Sequence, residues 1–350
     1  MMSGWLVSMG PAVANHMWQS TAFGVVAAGL ALALRRNHAR ARYWIWMAAS
    51  VKFMVPFALL ISLGGMLPRP QHTVVTMPVY SAVDEVSLPF VDAMPVAEPT
   101  HDAIRPRHER GTQLTWLVVV WLAGFVAVLG VWCMRWRQVA GTLRRAVPAN
   151  DGREAELLQL VQRTMGRVTR GRGTCVRLVL SHELMEPGVF GVFRPVLIWP
   201  ARLSERLDDE HIEAILAHEV CHVRRRDNLT AALHMLVEAV FWFHPLVWWL
   251  GARLVEERER ACDEEVLELC RHPQVYAESI LKVCEFCVES PLACVSGVTG
   301  ADLSKRVRSI MTLRLRRLGV AGKMALAALA LAAIAAPVAF GVVRMIPMYG

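Results

Sequence analysis

Four long apolar runs, each bordered by arginines, constrain this chain more than any other feature of its sequence. They cover residues 11–34, 43–67, 114–134 and 324–343. Each is long enough to cross the roughly 30 Å hydrocarbon core of a bilayer as a helix. The arginines lie between the first two runs, after the third and before the fourth. Because positive charge stays on the cytoplasmic side, both termini are predicted to lie on the outer side of the membrane.

The runs divide the chain into segments with alternating locations. The predicted order is two membrane helices, an external proline-rich loop, a third membrane helix, a cytoplasmic domain, a fourth membrane helix and an external tail, at residues 1–67, 68–113, 114–134, 135–323, 324–343 and 344–350. Polar residues inside the first two runs are candidate contacts between membrane helices, namely His16, Gln19 and Lys52.

Composition favours a membrane protein over a nucleic-acid-binding protein. Hydrophobic residues make up 55% of the chain and charged residues only 19%, which is typical of a membrane protein. The net charge of +8 could attract nucleic acid, but the arginines concentrate at the ends of the apolar runs and so record membrane topology. We therefore expect contact with the lipid bilayer and no direct contact with nucleic acid.

The cytoplasmic domain contains an H-E-x-x-H pattern, formed by His218, Glu219 and His222. On a helix, two histidines four residues apart share one face and can both bind a zinc ion. Glu219 then stands beside an open coordination position, where a general base is needed. We predict that this helix begins at Ser204, with acidic residues in its opening turns.

A further apolar stretch, residues 229–250, follows the histidines. It is long enough to span a membrane, but a crossing would separate His222 from the acidic helix predicted at 251–270. It also contains polar residues that are costly in hydrocarbon. The sequence therefore predicts a helical hairpin, broken near His244-Pro245, that associates with the inner leaflet without crossing it.

The rest of the domain is predicted to be α+β. Short strands are expected at 175–180 and 194–199, because Gly and Pro bound these β-rich runs. Helices are expected at 153–168, 274–289 and 302–318, so strands precede most of the helices.

The acidic helix offers the missing metal ligand. Glu256, Glu259 and Asp263 lie on one helical face. A zinc site needs one carboxylate as a ligand, and each ligating imidazole needs an acceptor for its other N–H. One helix can supply both.

Several motifs resemble the BlaR/MecR-type integral-membrane metallopeptidases that signal β-lactam exposure. The resemblance covers nearly the whole chain, and its motifs are N-H-M-W-Q at 15–19, A-R-Y-W at 41–44, G-V-F-G-V-F-R-P-V-L-I-W-P at 188–200, L-A-H-E-V-C-H-V-R-R-R-D-N at 216–228, W-F-H-P-L-V-W at 242–248 and E-R-E-R-A-C-D at 257–263. It implies a gluzincin-like zinc metallopeptidase domain with one zinc ion per chain. The implied ligands are His218, His222 and Glu259, with Glu219 as the catalytic acid/base and Asp263 orienting His218.

The resemblance also implies a protein substrate. We expect cleavage of a cytoplasmic transcriptional repressor, and of the chain itself, in response to an envelope signal. Family sensors carry an external penicillin-binding domain after the last membrane segment, whereas the printed sequence stops at Gly350. The signal is therefore expected from a partner membrane protein or from a change in helix packing.

Two details of the site are predicted from mechanism. Substrate is expected to pair as an added strand with a segment formed by Arg194, Pro195, Val196, Leu197 and Ile198. A donor that stabilises the transition state is also required, and the candidates are Tyr276 and His272. The alternative functions are a Ste24/HtpX-like quality-control protease and a non-catalytic scaffold that keeps zinc for structure.

Overall fold

The computed structural model describes residues 2–56, 59–60, 62–63, 66, 107–169, 176–183, 186–269, 272–288, 300–312 and 319–344. The predicted external loop and C-terminal tail lie almost entirely outside these residues. Within them the protein is mostly helical, with helices α1 Met2–Ala33, α2 Ala39–Met54, α3 Arg107–Arg145, α4 Arg153–Thr169, α5 Asp209–Arg225, α6 Asp227–Val240, α7 Pro245–Leu269, α8 Pro273–Val288, α9 Gly300–Thr312 and α10 Val320–Arg344.

Two of the described helices are long and apolar enough to cross a membrane. They are Thr115–Arg145 within α3 and Val320–Val338 within α10, which overlap the third and fourth predicted runs. All but the last residue of the first predicted run lies inside α1, whereas α2 ends at Met54, two residues ahead of Pro56. Proline has no backbone N–H to donate to a continuing helix, so α2 stops before the second run is complete.

An apolar core joins α1 and α2 to α6 and α7. Trp46 and Phe53 of α2 are buried there against Val237 of α6 and Leu250 of α7. Polar contacts tie the same helices together: His16 Nε2 lies 2.7 Å from the carbonyl oxygen of Phe53. The Nζ atom of Lys52 lies 3.4 Å from Ser20 Oγ.

Helices α6 and α7 form a hairpin whose tip packs between α1 and α3. α6 ends at Val240 and α7 begins at Pro245, so residues 229–250 do not form one continuous helix. A Cβ atom at Gly24 of α1 would lie 2.7 Å from Leu246 Cδ2. A Cβ atom at Gly124 of α3 would overlap the Trp242 indole. Glycine at these two positions lets the hairpin tip approach both helices closely.

A four-stranded mixed sheet supports the second apolar core. Its strands are β1 Val147–Pro148, β2 Arg177–Ser181, β3 Gly188–Phe190 and β4 Val196–Pro200, in the order β1-β2-β4-β3. Only β2 and β4 are parallel, with Arg177 opposite Val196. Trp199, Ile212 and Tyr276 are buried in this core, between the sheet and helices α4, α5 and α8.

The predicted start of the histidine helix at Ser204 is wrong. Ser204 belongs to a 3₁₀ helix at Ala201–Arg206, and α5 begins only at Asp209. The Ser204 side chain is used differently, because its Oγ accepts a hydrogen bond from Trp199 Nε1 at 2.8 Å. This bond fixes the end of β4 and leaves Asp208, in extended conformation, to precede the helix.

Candidate metal centre

Helix α5 carries the two histidines on one face. Asp209 and Glu210 stand in its first turn, where negative charge suits the helix dipole. The helix ends because Arg226 adopts a left-handed conformation with φ 56°, and its amide donates back to the last turn. The imidazole rings of His218 and His222 lie 4.7 Å apart, nearly perpendicular to each other.

Three ligand-type atoms from two helices converge at these rings. The Nε2 atoms of His218 and His222 are 3.1 Å apart, and Glu259 Oε2 of α7 lies 3.3 Å from the first and 3.7 Å from the second. Zinc bonds of about 2.0–2.1 Å place the ligand atoms of a tetrahedron about 3.4 Å apart. The three residues therefore fit a zinc ion without rearrangement.

The far side of His218 is fixed by a buried hydrogen-bonded chain. Its Nδ1 atom lies 2.9 Å from the Tyr276 hydroxyl, which donates to Asp263 Oδ1 at 2.5 Å. Asp263 itself is 3.4 Å from the imidazole. Partners of this kind hold a ligating imidazole in one tautomer and orientation.

A different carboxylate fixes His222. Asp227, the first residue of α6, places Oδ2 2.8 Å from His222 Nδ1. Its other oxygen accepts from Arg225 Nε at 3.2 Å, and the buried Cys262 thiol lies 3.4 Å from the same imidazole nitrogen. The sequence patterns did not indicate this role for Asp227, although it follows His222 by only five residues.

Glu259 is held by Arg258 as well as by the histidines. Arg258 donates to Oε1 through Nε at 3.1 Å and Nη2 at 3.0 Å, which leaves Oε2 facing the histidines. Burial alone would raise the pKa of Glu259, but the His222 charge and the hydrogen bond from His218 hold it well below its usual value. Glu256 instead pairs with Arg253 and Arg260 and is not part of the cluster.

Glu219 lies in the wall of a cavity of about 400 Å³ beside the cluster. Burial is the main cause that raises the pKa of Glu219 to about 7; the His222 charge opposes the shift and Glu259 adds to it. A carboxylate that takes up and releases a proton near neutral pH suits general acid–base chemistry.

Of the two predicted transition-state donors, only Tyr276 is among the described residues that line the cavity. The Tyr276 hydroxyl faces the Nδ1 atom of His218, on the opposite edge of the ring from Glu259. His272 is exposed ahead of α8 and is not among the described residues that line the cavity.

The predicted substrate strand requires a correction. Val196, Leu197 and Ile198 belong to β4, whose two edges are already paired with β2 and β3, so β4 cannot accept another strand. Arg194 and Pro195 precede it and line a separate cavity. The strand beside the metal cluster is β3, since Gly188 and Val189 line the cavity of Glu219.

The fold and site together define a class of protein. A helix carrying H-E-x-x-H, a glutamate from a second helix and a buried base beside them are typical of metal-dependent peptidases. The model of the BlaR1 peptidase M56 family matches residues 12–310. The chain belongs to this family, and the resemblance found in its motifs is confirmed.

Curated relatives match a shorter region. The chain is 31% identical over 109 residues to the methicillin resistance mecR1 protein of Staphylococcus aureus, which covers 31% of this chain and 19% of that protein. It is 36% identical over 110 residues to the regulatory protein BlaR1 of Bacillus licheniformis, covering 30% and 18%. The matched region thus spans less than a fifth of each relative.

Proposed function

We propose that this protein is a membrane-embedded zinc endopeptidase with a gluzincin-like domain at the cytoplasmic face of the inner membrane. The convergence of His218, His222 and Glu259 within tetrahedral ligand spacing, beside the buried Glu219, carries the proposal. Membership of the M56 peptidase family supports it.

The proposed mechanism assigns one task to each residue. A bound zinc ion would lower the pKa of water to about 7 and polarise the scissile carbonyl. Glu219 takes the proton of the attacking water and passes it to the leaving amine. Asp227 and the Tyr276–Asp263 chain keep the two imidazoles in the tautomer that presents Nε2 to the metal.

The substrate is proposed to bind along β3. Asn228 Nδ2 donates to the carbonyl oxygens of Val189 and Gly191 at 3.1 and 2.9 Å. β3 is the last strand in the order β1-β2-β4-β3, so one of its edges pairs with no other described strand, and each carbonyl oxygen bound by Asn228 keeps a second lone pair. An extended peptide can add to such an edge through its main chain, and Val189 lies at the cavity.

The biological role proposed here follows the matched relatives, one named for methicillin resistance and the other a regulatory protein. We propose that the protease cleaves a cytoplasmic transcriptional repressor, and its own chain, when an envelope signal arrives. The signal would pass through a partner membrane protein or through repacking of the membrane helices.

The proposed topology has four membrane spans, with the hairpin α6–α7 entering the membrane from the cytoplasmic side. Single cysteines placed in a cysteine-free variant test it with a membrane-impermeant thiol reagent in intact cells. Positions in 68–113 should react, and positions near 150 and 260 should be protected. Labelling of positions 226 and 252 from opposite faces of the membrane would overturn the hairpin and the metal site together.

The central experiment is Glu219→Gln, with Glu210→Gln as the matched control because Glu210 is exposed on the same helix. The purified Glu219 variant should hold about one zinc per chain, as the wild type does, and lose cleavage, because a general base contributes about 10²–10⁴-fold to rate. Glu210→Gln should behave as wild type.

The same two variants test the substrate in cells under cell-wall stress. One or two proteins, including a DNA-binding repressor, should persist only with Glu219→Gln. Dozens of stabilised membrane proteins would instead indicate a quality-control protease, and identical proteomes would indicate a scaffold.

A further inference from the structure

Arg306 reaches the metal centre from α9, a helix outside the histidine and glutamate motifs. Its guanidinium donates to both oxygens of Asp263, through Nε at 2.9 Å and Nη2 at 2.7 Å. The same Nη2 atom lies 3.4 Å from His218 Nε2 and 3.9 Å from Glu259 Oε2. One nitrogen of Arg306 therefore borders the atoms that would bind the metal.

This placement leaves Nη2 with an unused donor once the centre is loaded. An arginine carries five N–H donors and no acceptor, and it stays charged throughout catalysis. A zinc ion would occupy the single lone pair of His218 Nε2, so Nη2 could no longer donate to it, and Glu259 Oε2 at 3.9 Å lies beyond hydrogen-bond distance. Its second N–H would then require an acceptor in the cavity, which Arg306 lines.

Three other polar side chains in the cavity wall already have partners, namely those of Tyr276, Arg258 and Asn228. Tyr276 binds behind the His218 ring, between Nδ1 and Asp263. Arg258 directs Nε and Nη2 to Glu259 Oε1, and Asn228 holds the β3 carbonyls. Among these described residues, Arg306 is the one whose cationic donor faces the ligand atoms.

We propose that Arg306 is a catalytic residue that stabilises the negative charge formed on the scissile carbonyl oxygen; this inference rests on the proposed peptidase function. When the water oxygen bonds to the carbonyl carbon, the π pair moves to the carbonyl oxygen and the water proton moves to Glu219. Arg306 donates to that oxygen. When the pair returns, the C–N bond breaks and the amine nitrogen takes the proton from Glu219. The bidentate pair with Asp263 holds the guanidinium plane in place.

The test uses the full chain in detergent, with Arg306→Gln and Arg306→Lys. One probe is a phosphinic peptide, whose tetrahedral anionic oxygens mimic the transition state; the other is a fluorogenic peptide of matched sequence that the wild type cleaves. Removing one oxyanion donor typically lowers kcat about 10²–10³-fold. In Arg306→Gln, kcat and phosphinic-peptide affinity should fall by comparable factors, while KM and zinc content stay near wild type. Arg306→Lys should recover part of both losses.

Arg308→Gln is the matched control, because Arg308 is exposed on the same helix, and it should match the wild type. Unchanged phosphinic-peptide affinity in Arg306→Gln would overturn the proposal. So would a loss of zinc as large as the loss of kcat, since that result indicates a purely structural role. If wild type held zinc but neither cleaved peptides nor preferred the phosphinic probe, the proposed peptidase function itself would fail.

Discussion

The two histidines of the candidate metal centre are supported by different parts of the molecule. His218 is backed by Tyr276, Asp263 and Arg306, which lie on helices α7, α8 and α9. These contacts are made within the domain. We call them the domain side of the centre.

The support of His222 leads towards α2, which belongs to the second proposed membrane span. Asp227 orients its imidazole, and the guanidinium of Arg225, which holds Asp227, lies 5.1 Å from the Tyr43 ring centroid. The Tyr43 hydroxyl in turn donates to Thr230 Oγ1 at 2.5 Å. Tyr43 belongs to α2, and we call these residues the membrane side of the centre after that proposed span.

Helix α2 also binds α7, the helix that carries Glu259. Arg42 and Glu257 form a buried ion pair at 2.8 Å. Glu264, on the same helix, accepts the amide of Ala39 at 3.0 Å and lies 3.1 Å from His38 Nδ1. A shift of α2 would therefore move α7, which carries Glu259 and Asp263, while Tyr276 and Arg306 belong to α8 and α9. This arrangement would give the proposed envelope signal a physical route to the metal ligands.

Arg42→Ala is expected to cause the largest loss in the free energy of unfolding. Removing one partner of a buried ion pair typically costs about 3–5 kcal/mol. Arg260 Nη1 also lies 3.6 Å from Glu257, so we expect a loss near 3 kcal/mol in the free energy of unfolding. Zinc affinity should fall with it. Thermal unfolding in detergent and competition titration with a zinc chelator measure the two effects.

Two variants separate coupling from simple destabilisation. Arg40→Ala changes an exposed arginine of the same helix and should stay within about 0.5 kcal/mol of wild type. Replacing both Arg42 and Glu257 by Met should recover part of the stability, since the carbonyl oxygens of Leu34 and Asn37 also lose the Arg42 donor. If Arg42→Ala lost stability but kept wild-type zinc affinity, the membrane side would not reach the metal centre.

Asp227→Asn and Asp263→Asn are expected to cause smaller losses, which fall on zinc affinity and kcat. Each replaces the carboxylate behind a ligating imidazole by a neutral amide, and loss of such a partner typically lowers metal affinity about 10–100-fold. With zinc saturating, Asp227→Asn should recover its kcat, whereas Asp263→Asn should not, because it also releases Arg306. Chelator titration followed by kinetics at saturating zinc measures both.

Asp151→Asn, at an exposed position, is the control for these variants. Equal kcat losses for Asp227→Asn and Asp263→Asn at saturating zinc would contradict the distinction between the two sides of the centre.

The sequence predicted the parts of the site that depend on helical spacing. His218, His222 and Glu219 lie within one turn or so of each other, and Glu259 and Asp263 share a face of α7. Asp227 was not predicted because side chains five residues apart point in different directions on a continuous helix. It reaches His222 only because Arg226 breaks the helix with a positive φ.

Contacts between distant segments could not be predicted in this way. Arg306 lies 88 residues from His218, with no local spacing to connect them. The region of β4 was recognised as a strand, but its central position depends on pairing with β2 and β3. Strand order is set by long-range packing, which one strand's own pattern does not encode.

The close fit of the hairpin tip against Gly24 and Gly124 links α1 and α3 to the helix that carries Glu259. Leu246 packs against Gly24 and Trp242 against Gly124, so the tip keeps its position only while both helices stand beside it. Glu259 follows Pro245, the first residue of α7, by fourteen residues on the same helix. A larger side chain at either glycine would therefore disturb both the packing of the hairpin and the placement of a proposed metal ligand.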